Sequence, residues 1–253
     1  MPGPEKRDLD YREFVEAALL RSEDNGFPHV GAMRVIFMLS RVASLITYDL
    51  DAQEFAQDFG SHSGTVPDVS CAQGCSQLSA PQGTTATCDQ GTSRCVLVAD
   101  VRLPVTINLA AQKNFPSQVA NSSVISSVKV NAVSYWAASN TLSVATPPID
   151  IYVGSQTVQK ETDAGATRLG TLPSLPASRS PSCKSGAAGT RESACQLELT
   201  SDGKNVLGRL AKDYRNPFNV LVVARLVLRG GSPLPSGKLD LFVQPQIAFG
   251  IGQ

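Results

Sequence analysis

Residues 97–109 read LVADVRLPVTINL, and an apolar side chain occupies every odd-numbered position of this stretch. Successive side chains of a β-strand point to opposite faces, so the alternation predicts a strand with one buried and one solvated face. Residues 239–251, LDLFVQPQIAFGI, repeat the pattern. Pro104 and Pro245 interrupt the two stretches and cannot donate to a ladder. We therefore expect both prolines at sheet edges or bulges.

Further extended stretches fill the chain around and between these two. They cover residues 124–136, 142–153 (broken at Pro147-Pro148), 168–175, 194–200 and 218–228. A clear helical pattern interrupts them once, near residues 203–214, where Ser201 or Asp202 is the expected cap and Asn216-Pro217 the expected end. Many short strands with a single inserted helix favour a mainly β fold, an antiparallel β-sandwich, over a doubly wound sheet.

The N-terminal segment differs in kind from the rest of the chain. Apolar residues recur at helical spacing over residues 8–24 and predict a short amphipathic α-helix. The apolar stretch at residues 33–46 is either a second core helix or a displaced secretory signal. We therefore divide the chain into a helical segment, residues 1–60, that is a signal or a docking element, and a β-sandwich domain, residues 61–253.

Cysteine usage indicates the compartment of the protein. The six cysteines are Cys71, Cys75, Cys88, Cys95, Cys183 and Cys195. An even number of cysteines in loop-like surroundings predicts disulfides and an extracytoplasmic location, in the periplasm, at the cell surface or secreted. We expect Cys183 to pair with Cys195. All three pairings of the first four remain open, with 71–75 the least favoured because its ring would be cramped.

A structural zinc site is the competing interpretation of the first four cysteines. Zinc sites usually contain C-x2-C knuckles, and the spacing here is C-x3-C-x12-C-x6-C, which fits them poorly. The sequence therefore predicts no metal site and no cofactor.

Composition excludes several classes of protein. Lysine plus arginine and aspartate plus glutamate are both 22, so the chain lacks the basic field typical of nucleic-acid binders. The apolar fraction of 42% is too high for a disordered chain. No apolar run is long enough to predict a transmembrane span.

Catalytic motifs are hard to find in this sequence. The histidines are His29 and His62, and His62 occupies the middle of Gly60-Ser-His-Ser-Gly64, where a nucleophile elbow would have serine. We predict no catalytic residue. Candidate binding residues are Tyr135 and Trp136, because aromatic side chains dominate many recognition sites, together with Arg225 and His62. Arg225 interrupts an apolar run, so it lies either on a solvated face or beside Asp100, Asp150 or Asp240.

The cysteine-containing stretch Cys71-Ala-Gln-Gly-Cys75, the later cysteine pair and the alternating strands resemble exported bacterial envelope proteins or lipoproteins without assigned activity. Cys71 follows Pro67-Asp-Val-Ser70, which is not a lipobox, so the resemblance leaves lipid anchoring open. The alternating strands, the cysteine usage and the absence of a catalytic constellation in the sequence predict a non-catalytic β-sandwich protein of the cell envelope or exterior that acts in binding, adhesion or assembly. The partner would be an unknown protein or envelope component, and the oligomeric state is open.

Two other hypotheses belong to different classes. One is a hydrolase whose site is assembled from scattered loop residues, including His62. The other is a subunit of a larger assembly that docks through its N-terminal helices.

Overall fold

A computed structural model describes residues 44–251, apart from residues 81–82, 114 and 121–124. The strands of this part are Ser44–Asp49 (β1), Gln53–Asp58 (β2), Thr84–Asp89 (β3), Arg94–Ile107 (β4), Ile125–Asn140 (β5), Ile149–Ser155 (β6), Thr167–Leu172 (β7), Cys195–Gln196 (β8), Phe218–Leu228 (β9) and Lys238–Ile251 (β10). Its α-helices are Ser117–Ala120 (α1) and Ser201–Lys212 (α2).

The strands form two sheets. The first has the order β1-β10-β5-β8, with β2 also paired to β10, and the second has the order β3-β4-β9-β6-β7. Apolar side chains of both sheets share one core, which includes Phe218 and Phe249, each fully buried. Helix α2 packs against β5, β6 and β7 and covers one side of this core. The mainly β fold of two antiparallel sheets is therefore confirmed.

Helix α2 begins at Ser201, one or two residues before its expected start. Thr200 is the cap, because its backbone is extended and its hydroxyl accepts a hydrogen bond from the Gly203 amide at 2.9 Å. Ser201 and Asp202, the expected caps, are already helical. Gly203 permits the close approach of this helix to β7, since a Cβ there would lie 2.5 Å from the Cα of Leu169.

The two strand prolines have different settings. β3 pairs with β4 only as far as Thr84 opposite Ala99, so from Asp100 to Ile107 β4 has β9 as its single partner in the described part of the chain. Pro104 therefore lies on a free edge, as predicted. Pro245 is not at an edge, because β10 is a central strand, but the alternative of a bulge holds: the register of β10 with β5 shifts between Gln246 and Ile247. Pro245 lies opposite the β1–β2 connection, where its carbonyl accepts from the Leu50 amide at 2.9 Å.

The predicted N-terminal helix over residues 8–24, and most of the apolar stretch at 33–46, lie outside the described residues. Residues 44–58, which the sequence assigned to a helical segment ending at residue 60, are extended. They form β1 and β2, which pair with β10, and Phe55 of β2 is buried in the core. The boundary expected at residue 60 is therefore wrong for this part of the chain.

Some predicted strands are shorter in the structure. The stretch expected over residues 142–153 becomes a strand only from Ile149, because Pro147 and Pro148 lack the amide protons that a ladder needs. The strand expected over residues 194–200 is only two residues long, since the chain turns into α2 at Thr200.

Three disulfides are present, as predicted, and they settle the open pairing. Cys71 bonds to Cys88, Cys75 to Cys95, and Cys183 to Cys195. The first two join the segment before β3 to the β3–β4 hairpin. This segment covers a small second apolar cluster, whose buried members are Val66, Leu78, Cys95, Leu97 and Leu228.

The sulfur atoms of Cys71, Cys75 and Cys95 lie within 4.8 Å of one another, as in a metal site. All three are held in disulfides, so they do not offer the thiolates that zinc requires. Among the described helices, none is long and apolar enough to cross a membrane.

Candidate functional site

A polar cleft lies on the outer face of the β1-β10-β5-β8 sheet. The register places Ser134 of β5 between Gln244 of β10 and Gln196 of β8, and Ala132 opposite Gln246. The small side chains of Ala132 and Ser134 on β5 thus lie between the long glutamine side chains of β10 and β8. The result is a depression of about 180 Å³ with Ala132 and Ser134 as its floor, which we call the amide cleft.

One wall of the amide cleft is built on β10 and β1. The Gln244 side-chain amide donates to the Leu50 carbonyl at 2.7 Å, and that of Gln246 donates to Oδ1 of Asp49 at 2.8 Å. These bonds fix both side chains. In the described part of the chain, their Oε1 oxygens accept no hydrogen bond, so they remain open to a ligand.

The opposite wall comes from the segment closed by the Cys183–Cys195 disulfide. Lys184 follows the first of these cysteines, Gln196 follows the second, and Arg191 lies between them. Nη2 of Arg191 donates to Oδ2 of Asp49 at 2.7 Å, so Asp49 connects the two walls.

The disulfide holds this second wall against the sheet. Cys195 is buried opposite Tyr135 of β5, and the segment backbone at Gly189 lies so close that a Cβ there would be 2.9 Å from the Ala137 carbonyl oxygen. The bridge therefore fixes the position of Lys184 and Arg191 relative to the floor.

The two predicted aromatic candidates lie on β5 next to Ser134 in sequence, but they do not line the amide cleft. Trp136 shares the outer face with Ser134 and stacks on Phe242 at 5.4 Å between ring centroids, but it is only 8% exposed. Tyr135 points into the core, where burial raises the pKa of its phenol. Neither ring therefore offers an open surface to a ligand.

The other two candidate binding residues lie elsewhere. Arg225 is exposed on the outer face of the second sheet, and its Nε is 3.8 Å from Oδ1 of Asp100, so both expectations for this residue hold. His62 lines a separate open cleft of about 630 Å³ together with Asp58, Asp100 and Arg102. It makes no hydrogen bond or ion pair with any described residue. The structure does not bring the four candidates together.

A second polar arrangement covers the outer face of the β3-β4-β9-β6-β7 sheet. Arg102 of β4 donates two hydrogen bonds, at 2.8 and 2.7 Å, to the carboxylate of Glu161 in the β6–β7 connection. These bonds hold the pKa of Glu161 at about 2. Asn219 anchors the same connection from β9, and it is buried although its parity with Arg225 predicts a solvated position.

The Arg102–Glu161 pair gives a prediction on stability in acid. The pKa of Glu161 is lower in the folded than in the unfolded chain, so its stabilising effect is complete above about pH 4.5 and disappears as the pH falls through about 2. Arg102→Met should therefore lower the free energy of unfolding by about 1 kcal/mol at pH 6, because Arg102 is one-third exposed and partly screened. Urea denaturation between pH 2 and pH 6 measures the difference from the unmodified protein.

Arg225→Met is the matched control, since Arg225 has only a 3.8 Å contact to Asp100 and is 67% exposed. Its effect should be smaller and nearly independent of pH. A difference for Arg102→Met that stays constant down to pH 2 would contradict the assigned pairing.

Comparisons with known proteins do not place the chain in a family. No family model and no curated protein matches the sequence. Among solved structures, it is similar to one described as "Structural basis for the promiscuous specificity of the carbohydrate-binding modules from the beta-sandwich super family". The identity is 8% and the TM-score 0.24, over 82% of this chain and 57% of that chain. The chain thus spans little more than half the length of that protein.

The residues of the amide cleft were missed at the sequence level. Gln244 and Gln246 lie on the polar parity of the 239–251 alternation, which marks them as outward-facing. Their juxtaposition with Ser134 and Gln196 depends on the register of three strands distant in sequence, and no local pattern encodes it.

Proposed function

We propose that this chain is a non-catalytic, extracytoplasmic binding protein that holds a hydroxyl-rich ligand in the amide cleft. The observation that carries the proposal is the arrangement of two small floor residues beside two fixed glutamine side chains, Gln244 and Gln246, on the β10 side. Adhesion or assembly at the cell envelope would use the same binding activity.

The chemistry of the walls supports a hydroxyl-rich ligand. A side-chain amide offers two donors and an acceptor, and a hydroxyl both donates and accepts, so the two groups match. Gln244 and Gln246 are held by bonds through their nitrogens, and their oxygens face no protein donor among the described residues. Their immobilisation reduces the entropy lost on binding. The cleft volume of about 180 Å³ suits a group the size of one sugar ring.

The cysteines support the proposed location. All six are paired, and disulfides persist chiefly in oxidising compartments outside the cytosol.

Filling the floor of the amide cleft tests the proposal. Ser134→Phe places a ring where a ligand would lie, and the outward position of Ser134 makes the change compatible with the fold. We expect the variant to lose at least tenfold in affinity, or about 1.4 kcal/mol, for the ligand that the unmodified protein binds. The measurement is affinity electrophoresis through native gels that contain soluble neutral or acidic polysaccharides.

Thr87→Phe is the matched control, because Thr87 is exposed on β3 of the other sheet. It should bind like the unmodified protein. Equal retardation of the Ser134→Phe variant and the unmodified protein, or no retardation of the unmodified protein in any gel, would contradict the proposed function.

A further inference from the structure

We infer that the ligand of the amide cleft is an acidic saccharide, whose sugar ring carries a carboxylate. This inference rests on the proposed function and goes beyond it by naming the ligand class. It depends on the different chemistry of the two walls.

The wall closed by the disulfide is cationic. Lys184 is exposed, and within the described part of the chain it makes no ion pair. Asp49 is the only acidic residue among the described residues that line the cleft, and it is engaged by both Gln246 and Arg191. The ammonium of Lys184 is therefore not engaged by the acidic side chain that lines the cleft.

Arg191 adds further donors on the same wall. Its guanidinium carries five N–H donors, and the bond to Asp49 uses Nη2. The remaining donors stay available, while Asp49 holds the planar group in place. A guanidinium fixed in this way is suited to a carboxylate, whose two oxygens match its donor geometry.

A sugar acid matches both walls at once. Its hydroxyls can meet the side-chain oxygens of Gln244 and Gln246 while its carboxylate meets Lys184 and Arg191. An acidic peptide also offers carboxylates and N–H donors, but it spreads these groups along a chain. A sugar acid carries its hydroxyls and its carboxylate on a single ring, whose size suits the cleft. The lining therefore favours a saccharide over a peptide.

The test compares uronate oligomers with neutral counterparts of the same length. Oligomers of galacturonate, glucuronate and mannuronate serve as probes, each beside its carboxyl-reduced form, which keeps the hydroxyls and loses the charge. We expect at least one uronate to bind tenfold or more tightly than its reduced form in calorimetric titrations. The preference should weaken as salt is raised, because the charges are exposed.

Lys184→Gln should reduce that preference at least fivefold. Lys212→Gln, at an exposed position on α2, makes the same change in net charge and should leave both affinities unaltered. The Ser134→Phe variant should lose both ligands.

The outcomes separate the inference from the proposed function. Equal binding of every uronate and its reduced form, or binding of neutral polysaccharides alone, overturns the inference and leaves the proposed function standing. An oligoglutamate that binds the unmodified protein as tightly as the best uronate overturns the assignment to a saccharide. No effect of Lys184→Gln overturns the role of the cationic wall.

Discussion

Replacing Cys183 and Cys195 together by alanine is expected to lower the free energy of unfolding by about 3 kcal/mol, because the bridge closes a short loop in the unfolded chain. The loss should also release the cationic wall of the amide cleft. Amides of this segment, including that of Cys183, which donates to the Ser193 carbonyl at 3.0 Å, should then exchange with solvent at least tenfold faster. Guanidinium denaturation and hydrogen–deuterium exchange measure the two effects.

The double replacement of Cys71 and Cys88 by alanine is the matched control. Its sequence separation of 17, against 12 for the first bridge, predicts a similar loss of about 3 kcal/mol. Exchange should accelerate in the segment before β3 and stay unchanged over residues 183–196. If exchange over residues 183–196 stays slow in the first variant, the disulfide does not position the wall.

Asn219→Ala is expected to destabilise the protein by about 3 kcal/mol. The Asn219 side chain is 1% exposed and fully occupied. Its nitrogen donates to the carbonyls of Gln156 and Val158 at 3.0 and 2.8 Å, and its oxygen accepts from Thr106 at 2.7 Å. Alanine would leave the buried Val158 carbonyl without its partner and would empty a buried position, while the groups of Thr106 and Gln156 lie nearer to solvent. Urea denaturation measures the cost.

Asn216→Ala provides the comparison, since Asn216 is exposed and its side-chain amide donates to the carboxylate of nearby Asp213 at 2.8 Å. Its effect should stay within about 0.5 kcal/mol. A loss below about 1 kcal/mol for Asn219→Ala would mean that water replaces the missing amide.

The sheets could be predicted from sequence where burial follows a simple period. Residues 97–109 and 239–251 alternate because one face of β4 and of β10 contacts the core, so a local pattern carries the information. The sequence did not predict β1 and β2, because each is only six residues long and depends on pairing with β10, 180 or more positions away in the sequence. β3 is short and rich in threonine, and its own residues do not predict that it pairs with β4.

Asn219 and the amide cleft show a second limit on what the sequence pattern can predict. Strand parity correctly places Asn219 on the outer face, yet the β6–β7 connection folds over it and buries it. Similarly, strand parity correctly predicts that Gln244 faces outward. Its place in the wall of a cleft, however, depends on Ser134 and Gln196, which the register of β5 and β8 brings beside it. Both results depend on tertiary contacts that side-chain periodicity does not contain.

Pro104 on the unpaired part of β4 has a consequence for the behaviour of the protein in concentrated solution. An open strand invites a neighbouring copy to add its own strand, which is a common first step towards aggregates. A proline on this edge disfavours the pairing of a further strand, and the charged side chains of Asp100 and Arg102 nearby add to that effect. Copies of the protein should therefore remain separate at high concentration although no strand covers this edge of β4 in the described part of the chain.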